Sequence, residues 1–314
     1  MEKRKIGKSE LEVFPFALGG NVFGWTADEN TSFEILDAFT DRGGNFIDTA
    51  NVYSAWVPGN GGGESETIIG NWLRKTGKRN KVILATKVGA EVAPDNKGLR
   101  KEYIIKQVEE SLCRLQTDHI DLYFTHYDDL NLPVEEPLEA YAQLVKEGKV
   151  RYIGASNMSA FRIEEAIDKS RENGYPEYIC VEPEYNLYDR IKYEVEYEPM
   201  IEEYGMGSVT YYSLASGFLT GKYKFGEDIT GKRSEAVKRY QNEKGHRIIE
   251  ALNNISSQLS ATSAQVALAW LMARSSVTAP IGSVSKTSQL DILDAVNIQL
   301  DAEMIDLLND ASKY

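Results

Sequence analysis

The chain has 314 residues, of which 42% are hydrophobic, with a net charge of −13 and an isoelectric point near 4.9. This acidic balance argues against nucleic acid or an anionic membrane surface as the main partner, since both are recognised by basic faces. Two cysteines and three histidines without ligand spacing argue against a disulfide framework or a metal site, and the absence of an apolar leader predicts a cytoplasmic protein.

The predicted elements start with a β-hairpin over residues 3–14 and then alternate between short apolar strands and amphipathic helices. The strands are predicted over 16–20, 45–50, 81–87, 119–126, 150–157, 178–182, 208–214 and 277–284. The helices are predicted over 31–42, 65–76, 101–116, 135–147, 159–173, 191–204, 243–259, 263–273, 286–296 and 302–312. At the first helix, Thr31 with Glu34 three residues later predicts a capping box.

Eight strands that alternate with helices and have almost continuous apolar runs indicate parallel strands buried on both faces. At this length the pattern predicts an α/β fold, a closed (β/α)8 TIM barrel, with the hairpin before it and extra helices after the seventh strand and at the C-terminus. An open doubly wound sheet is the alternative, but no strand is followed by a G-x-G-x-x-G turn. Because no composition break marks a linker, we expect a single domain over residues 1–314.

Polar side chains stand at the ends of three consecutive barrel strands. Asp48 ends the second strand and Tyr53 follows on its loop, while Lys87 ends the third strand and His126 ends the fourth. Catalytic groups of such barrels lie at the carboxyl ends of strands, and consecutive strands are neighbours in space. We therefore expect these four residues to meet at one rim.

Each of the four also has a structural alternative. Asp48 could cap a turn or the next helix, Tyr53 could pack on its loop, Lys87 could mark the exit of a strand to solvent, and His126 could be a hydrogen-bonded core residue. The coincidence of these residue types on three neighbouring strand ends favours chemistry.

The four residues suit the protonation of an oxygen atom. A tyrosine is a poor acid at neutral pH, with an ordinary pKa near 10, and a nearby ammonium is expected to lower that pKa. A carboxylate would hold the charge and orientation of the lysine, and a neutral imidazole could donate a hydrogen bond to a carbonyl oxygen. The set offers no nucleophile for acyl transfer and no metal ligands, so the electron pair must come from elsewhere.

The tetrad and several longer motifs resemble those of the aldo-keto reductase superfamily, including bacterial-type members and those related to ion-channel β-subunits. The motifs are Gly-Gly-Glu-Ser-Glu at 62–66, Arg-Leu-Gln-Thr-Asp-His-Ile-Asp-Leu-Tyr at 114–123, Gly-Lys-Val-Arg-Tyr-Ile-Gly-Ala-Ser-Asn at 148–157, Glu-Tyr-Asn-Leu-Tyr-Asp-Arg at 184–190 and Gly-Phe-Leu-Thr-Gly-Lys at 217–222. The likeness covers nearly the whole chain.

The resemblance implies an NADPH-dependent oxidoreductase that reduces aldehydes and ketones, with NADH as a possible second cofactor. In this family Tyr53 would be the general acid, Asp48 and Lys87 would tune it, and His126 would orient the carbonyl. The implied cofactor contacts are Gly20, Asp48, Ser156, Asn157, Glu182, Tyr212, Ser213, Leu214, Ser216, Gly217, Gly221, Lys222, Ser283, Ser285, Lys286 and Gln289.

Among these contacts, Ser156 and Asn157 would bind the nicotinamide carboxamide, and Tyr212, ending the seventh strand, would stack on the ring. The stretch 213–222 would wrap the pyrophosphate with backbone N–H groups and the Lys222 ammonium. The stretch 283–289 would open a helix N-terminus, where Lys286 would bind the 2′-phosphate of NADPH, unless it is simply an exposed lysine at a helix start.

Two positions depart from the family pattern. Family members usually carry Gln where Glu182 stands, and an ionised Glu182 can accept a hydrogen bond from the carboxamide but cannot donate one. Many relatives carry Glu-Asn in the eighth helix to contact the adenine, where this chain has Ile292-Leu293, which predicts looser adenine recognition.

The substrate side is expected to take a small carbonyl compound. Trp25, Trp56, Tyr127 and Tyr188 lie on loops just beyond strand ends and are candidate pocket walls, although each could equally pack in the core or on the surface. Two other functions are compatible with the sequence: a redox-sensing regulatory subunit that keeps the cofactor site, and a lyase using Lys87 in a Schiff base. The oligomeric state is left open.

Overall fold

A closed barrel of parallel strands forms the centre of the protein. The computed structural model describes residues 2–93, 96–223 and 234–314. After a hairpin of β1 (Arg4–Lys5) and β2 (Glu12–Val13), the barrel strands are β3 (Ala17–Gly19), β4 (Phe46–Asp48), β5 (Ile83–Val88), β6 (Ile120–Thr125), β7 (Val150–Ser156), β8 (Tyr178–Glu182), β9 (Gly207–Thr210) and β10 (Ala279–Gly282). Within the described part they pair in chain order, and β10 pairs with β3 to close the ring. The predicted (β/α)8 barrel is confirmed, and an open sheet is excluded.

Helices cover the outside of the barrel. They are α1 (Glu29–Asp41), α2 (Glu64–Thr76), α3 (Lys101–Leu115), α4 (Glu135–Lys146), α5 (Ala160–Asn173), α6 (Glu198–Tyr204), α7 (Ser234–Lys238), α8 (Glu243–Leu259), α9 (Ser263–Met272) and α10 (Ala302–Ala311). The extra helices expected after the seventh barrel strand and at the C-terminus are therefore present. Among the helices that the structure describes, none is long and apolar enough to cross a bilayer.

The predicted helices over 31–42 and 191–204 differ in detail from the structure. The first begins two residues before Thr31, because Asp28 is the N-cap and its carboxylate accepts the backbone N–H of Thr31; the predicted capping box is wrong. The helix predicted over 191–204 contains a π-helical turn at Tyr193–Tyr197 before α6. In the first case a preceding Asp outcompetes Thr as the cap, since both residue types suit that position.

The inside of the barrel is a small apolar core of its own. It contains Ala17, Phe46, Ala85, Leu122, Phe124, Cys180, Val209 and Ala279, and it is joined by Ile6, Leu11 and Val13 of the hairpin. Gly7 has a φ of +51°, and a Cβ there would lie 2.4 Å from the carbonyl oxygen of Ile179 and 2.8 Å from the backbone nitrogen of Gly207. The hairpin therefore covers the amino-terminal end of the barrel.

The parallel arrangement places the carboxyl ends of all the barrel strands at the opposite end from the hairpin. The register aligns Asp48 of β4 with Ala85 of β5, and Lys87 of β5 with Phe124 of β6. Asp48, Lys87 and Glu182 are therefore within a few residues of the same rim, although they are 39 and 95 positions apart in the chain.

Candidate active site at the carboxyl rim of the barrel

Lys87 is the centre of the site. Its side chain is fully buried, although it carries an ammonium group. The Nζ atom lies 2.6 and 2.7 Å from the two carboxylate oxygens of Asp48, 3.0 Å from the carbonyl oxygen of Thr49 and 2.9 Å from the hydroxyl of Tyr53. Three of the four predicted residues are thus joined in one hydrogen-bonded cluster.

The loop after β4 brings Tyr53 back to this cluster. The backbone N–H of Asn51 donates to the carbonyl of Lys87 at 3.4 Å, which extends the pairing of β4 with β5 by three residues. The N–H of Tyr53 then donates to the carbonyl of Ala50 at 3.2 Å, and Ser54 takes a φ of +71°. This tight turn directs the phenol toward the ammonium and leaves its oxygen 3.4 Å from Asp48 Oδ2.

His126 directly follows β6 and lies beside Tyr53. The two ring centroids are 6.1 Å apart in an edge-to-face arrangement. The backbone of His126 is fixed on both sides, because its N–H donates to Val88 O at 2.7 Å and its carbonyl accepts from Asn157 Nδ2 at 2.9 Å. Burial, assisted by the Lys87 charge, lowers the pKa of His126 well below its ordinary value, so the imidazole is neutral.

The pKa of Tyr53 differs from the sequence expectation. Burial raises it above its ordinary value of 10.0. The Lys87 ammonium acts in the expected downward direction, but burial together with the charges of Asp48 and Glu182 outweighs it. The expected net lowering is therefore wrong for this structure, and Tyr53 holds its proton as a phenol.

The lysine is charged and so is a poor nucleophile. Burial opposes its charge, but the carboxylates of Asp48 and Glu182 outweigh burial and raise the pKa of Lys87. Burial raises the pKa of Asp48, whereas the Lys87 ammonium and its hydrogen bonds act in the opposite direction. Since a Schiff base requires a free amine, this environment argues against the lyase hypothesis.

Glu182 ends β8 and joins the same cluster. It is 3% exposed, and its Oε1 lies 3.3 Å from Lys87 Nζ. Its Oε2 and the Nδ1 of His126 have no hydrogen-bond partner among the residues that the structure describes. Burial raises the pKa of Glu182 to about 8, with a further contribution from the Asp48 charge. From the sequence, Glu182 is expected only as a cofactor contact, and its contact with the lysine was not predicted.

Ser156 and Asn157 lie beside Glu182 at the end of β7. The hydroxyl of Ser156 donates to the carbonyl of Glu182 at 2.8 Å, and Asn157 takes a φ of +49°. The Oδ1 of Asn157 accepts a hydrogen bond from the Tyr211 hydroxyl at 2.9 Å. Tyr211 was not predicted, although its position just after the seventh barrel strand could have indicated it.

Tyr212 lies on a loop and not at the end of a strand. Strand β9 ends at Thr210, so Tyr212 stands two residues beyond it, with a φ of +51° and 52% of its surface exposed. The next residue, Ser213, is buried and donates to the carbonyl of Thr210 at 2.8 Å. The predicted strand over 208–214 is therefore too long, because the chain turns sharply at these residues.

The residues that follow Leu214 form a turn beside an ammonium group. Ala215, Ser216 and Gly217 have φ values of +48°, +57° and +93° within a 3-10 stretch that ends at Thr220. A Cβ on Gly217 would lie 3.7 Å from Lys222 Nζ, so this ammonium lies against the turn. Gly221 continues the chain with a φ of +72°. Turns of this kind, with a nearby cation, suit an anionic ligand.

The stretch after β10 is irregular. Residues Thr287–Asn297 form 3-10 turns instead of the predicted α-helix over 286–296, and Gln289 Oε1 accepts from the backbone N–H of Ser285 at 2.8 Å. Lys286 is exposed and makes no ion pair with any residue in the described ranges. Ser283 packs against Gly19, next to Gly20, whose carbonyl accepts from Ser65 Oγ at 2.8 Å.

Aromatic rings extend from the cluster toward solvent. Trp56 lies 6.2 Å from the Tyr53 ring and 5.7 Å from Trp25, and Tyr127 stacks on His126 at 4.9 Å. Trp56 is 48% exposed and Tyr127 is 51% exposed, so both are at the mouth of the site. The fourth candidate wall, Tyr188, packs against Tyr240 at 4.8 Å instead.

The chain is similar in sequence to a known protein family and to several known proteins. Residues 15–313 match the model of the Aldo/keto reductase family. The chain is 36% identical over 321 residues to the "Uncharacterized oxidoreductase YrpG" of Bacillus subtilis, which covers 99% of this chain and 95% of the relative. It is 33% and 32% identical to proteins named "Probable voltage-gated potassium channel subunit beta" of Oryza sativa and Arabidopsis thaliana, each covering 92% of this chain and 89% of the relative.

Proposed function

This chain is an oxidoreductase of the aldo/keto reductase family, and we propose that it reduces small aldehydes and ketones to alcohols with NADPH as the hydride donor. The observation that carries the proposal is the position of Lys87 Nζ between Asp48 and the Tyr53 hydroxyl, at 2.6 and 2.9 Å. A phenol held in this way can release its proton to an oxygen that gains negative charge, because the adjacent ammonium stabilises the phenolate that remains.

His126 orients the substrate in this proposal. A neutral imidazole carries one N–H, which can donate to the carbonyl oxygen, and the low pKa of His126 keeps it in that form across neutral pH. Its backbone is held between β5 and the end of β7, so the ring has a fixed position beside Tyr53. Trp56 and Tyr127 supply apolar surface at the mouth, which suits a substrate with an apolar or aromatic part.

The residues present fit a nicotinamide dinucleotide. Glu182 Oε2 is a buried polar atom without a partner in the described part of the chain, beside Ser156 and Asn157, as a carboxamide site requires. Lys222 lies against the turn at 215–217, and Lys286 is exposed without an ion pair to any described residue; both suit phosphate groups. When bound, NADPH supplies the hydride that reduces the carbonyl carbon. Tyr53 supplies the proton that completes the alcohol.

The proposal is tested by following NADPH absorbance with a panel of aldehydes and ketones, using wild type and Tyr53→Phe. We expect steady turnover by wild type and a loss of about 10²–10⁴-fold in kcat for the variant, since that is the usual contribution of a general acid. NADPH affinity, measured by fluorescence titration, should be nearly unchanged. Tyr204→Phe at the end of α6 is the matched control and should retain wild-type turnover. Near-normal turnover by Tyr53→Phe would exclude it as the acid.

The channel-subunit relatives support a second candidate function, a regulatory subunit that binds the cofactor and responds to its redox state. This function predicts tight NADPH binding without multiple turnover, together with binding of the purified protein to a potassium channel. Multiple turnovers by the isolated protein, without affinity for a channel, would favour the enzyme. We favour the enzyme because Asp48, Tyr53 and Lys87 form one hydrogen-bonded cluster beside His126, and because another relative of similar length is named as an oxidoreductase.

A further inference from the structure

The donors and acceptors around Lys87 do not balance. An ammonium has three N–H donors, and in this site three closer groups occupy them: the Asp48 carboxylate, the Thr49 carbonyl and the Tyr53 hydroxyl. Glu182 Oε1 is 3.3 Å away, farther than any of these, and Oε2 has no partner among the described residues. Glu182 therefore has the longest contact with Lys87 and can only share a proton that a closer group already accepts.

A buried carboxylate in that position would be a charge with one long contact to a shared ammonium and one oxygen without a donor, which is unfavourable. Together with Asp48 it would also give the cluster two negative charges against one positive charge. A second buried glutamate of this protein has a close donor to each oxygen: Glu66 Oε1 accepts from Thr86 at 2.6 Å, and Oε2 accepts from Arg114 at 2.7 Å. Glu182 has only one contact with a cation, from Oε1 to Lys87 Nζ at 3.3 Å, and its Oε2 has no partner among the described residues.

We propose that Glu182 is held as a neutral carboxylic acid, one proton being shared between it and Asp48, and that this neutral acid sets the upper pH limit at which Tyr53 can donate its proton. Glu182 is then a positioning residue, which acts on the reaction through Lys87 and Tyr53. A neutral carboxyl group also restores the paired donor and acceptor that an amide would provide at this position. The protonation state is argued from these contacts and does not depend on turnover, whereas its effect on turnover rests on the proposed reductase function.

The charged and titratable groups around Glu182 come from several elements. They are Asp48 at the end of β4, Tyr53 on the following loop, Lys87 on β5, His126 after β6, Cys180 on the same strand and Tyr211 after β9. Of these, Asp48 and Lys87 act most strongly on it, and Asp48 and Glu182 are close enough to interact through a side-chain hydrogen bond. Two carboxyl groups can form such a bond only when one of them is protonated.

The consequence for catalysis is a dependence on pH. The charge of an ionised Glu182 raises the pKa of Tyr53 and makes it a weaker acid, so a neutral Glu182 favours proton donation. The pKa of Glu182 is raised to about 8, and one pH unit above that value the neutral fraction is only about one tenth. Turnover should therefore decline by up to about tenfold between about pH 7 and pH 9.

The first test does not need turnover. Infrared spectra of the purified protein at neutral pH should contain the C=O band of a protonated carboxylic acid, which disappears as the pH rises past about 8. Glu182→Gln should lack the band, and Glu66→Gln, the matched buried control, should retain it. A wild-type spectrum without the band, or a band that persists in Glu182→Gln, would overturn the proposal. If a variant does not fold, the wild-type spectrum still tests the proposal, because the absence of the band at neutral pH would overturn it.

The second test links the proton to catalysis. For each protein the ratio of kcat at about pH 9 to kcat at about pH 7 is measured with saturating NADPH and substrate. We expect this ratio to be several-fold higher in Glu182→Gln than in wild type, because the variant has no carboxyl group to ionise. Equal ratios in wild type and Glu182→Gln would show that ionisation of Glu182 does not affect proton donation by Tyr53. Absence of turnover in every protein would reject the reductase function, whereas the infrared band would still decide the protonation state.

Discussion

The two ends of the barrel each bury a carboxylate in an ionic cluster, but the clusters are balanced in opposite ways. At the amino end, Asp121 is 2% exposed and accepts from Arg79 at 2.8 Å, from Arg151 at 3.0 Å and from the backbone N–H of Leu84 at 3.0 Å. At the carboxyl end, the single ammonium of Lys87 faces two carboxyl groups. The cluster at the amino end has more hydrogen-bond donors than the Asp121 carboxylate requires. The cluster at the carboxyl end has fewer donors than Asp48 and Glu182 require.

This difference separates a structural cluster from a reactive one. Every oxygen of Asp121 has a charged donor, and the cluster ties the starts of β5, β6 and β7 together without a group that needs to change its protonation. In the proposed protonation state, the shortage of donors at the carboxyl end leaves Glu182 and the phenol of Tyr53 with protons that can move. The count of donors and acceptors therefore distinguishes the two ends better than burial does, because the carboxyl groups at both ends are buried to a similar degree.

The largest effect that tests this comparison is on stability. Asp121→Asn removes a carboxylate that faces two guanidinium groups and should lower the free energy of unfolding by about 3 kcal/mol, while kcat stays near wild type. Glu182→Gln replaces a neutral acid by an amide of the same size and should cost about 1 kcal/mol or less. Urea denaturation at neutral pH measures both values.

The reverse order of these two losses would contradict the comparison. A large loss for Glu182→Gln would mean that its carboxylate stabilises Lys87 by an ion pair, as Asp48 does. Arg79→Met provides a control at the amino end, because it removes the arginine that donates to Asp121 and leaves the carboxylate in place. This variant should also lower the free energy of unfolding without changing turnover.

The barrel itself and the positions of the four tetrad residues could be predicted from the sequence. Each barrel strand is an apolar run followed by a turn, and Asp48, Lys87 and His126 each stand where such a run ends. Because parallel neighbours align their ends, a local signal was enough to place these side chains together. Tyr53 was expected at the same rim because it follows Asp48 on the adjoining loop, although the direction of that loop is set by its turn at Ala50 and Ser54.

The features that could not be predicted depend on tertiary contacts. The third partner of Lys87 is a backbone carbonyl, that of Thr49, which no residue type reveals. The approach of Glu182 to Lys87 joins strands that are not neighbours in the barrel, so the imbalance of donors becomes visible only when all the partners are counted. Tyr212 is similar, because its left-handed backbone shortens a strand whose apolar run continues.

A smaller effect on stability follows from the raised pKa of Glu182. Its ordinary pKa is 4.5 and its pKa in the folded protein is about 8, so between these values the folded state keeps a proton that the unfolded state has released. The resulting stabilisation is complete below pH 4.5 and is lost as the pH rises through about 8. Relative to Glu182→Gln, wild type should lose at most about 1.4 kcal/mol per pH unit, or about 2 kcal/mol between about pH 6 and pH 8.

Thermal or urea unfolding of both proteins across this pH range measures the slope. Parallel curves for wild type and Glu182→Gln would show that Glu182 ionises at the same pH in the folded and unfolded states. A difference of the opposite sign would show an ionised Glu182 that gains stability from Lys87. In either case Glu182 would be an ionised carboxylate in the folded protein, as Asp121 is expected to be at the amino end.

The smallest effect concerns the cations of the two ends. Lys149 at the amino end is paired with Glu109 at 2.5 Å and with Glu147 at 2.7 Å, whereas Lys286 at the carboxyl end is exposed and forms no ion pair within the described residues. Lys286→Met should therefore weaken NADPH binding by up to about tenfold, with a smaller effect on NADH, because one charge-assisted contact to a phosphate contributes about 1 kcal/mol when exposed. Lys149→Met should leave both affinities unchanged. Fluorescence titrations with the two cofactors compare the variants, and equal losses of NADPH and NADH affinity in Lys286→Met would assign this ammonium to a part of the dinucleotide that both cofactors share.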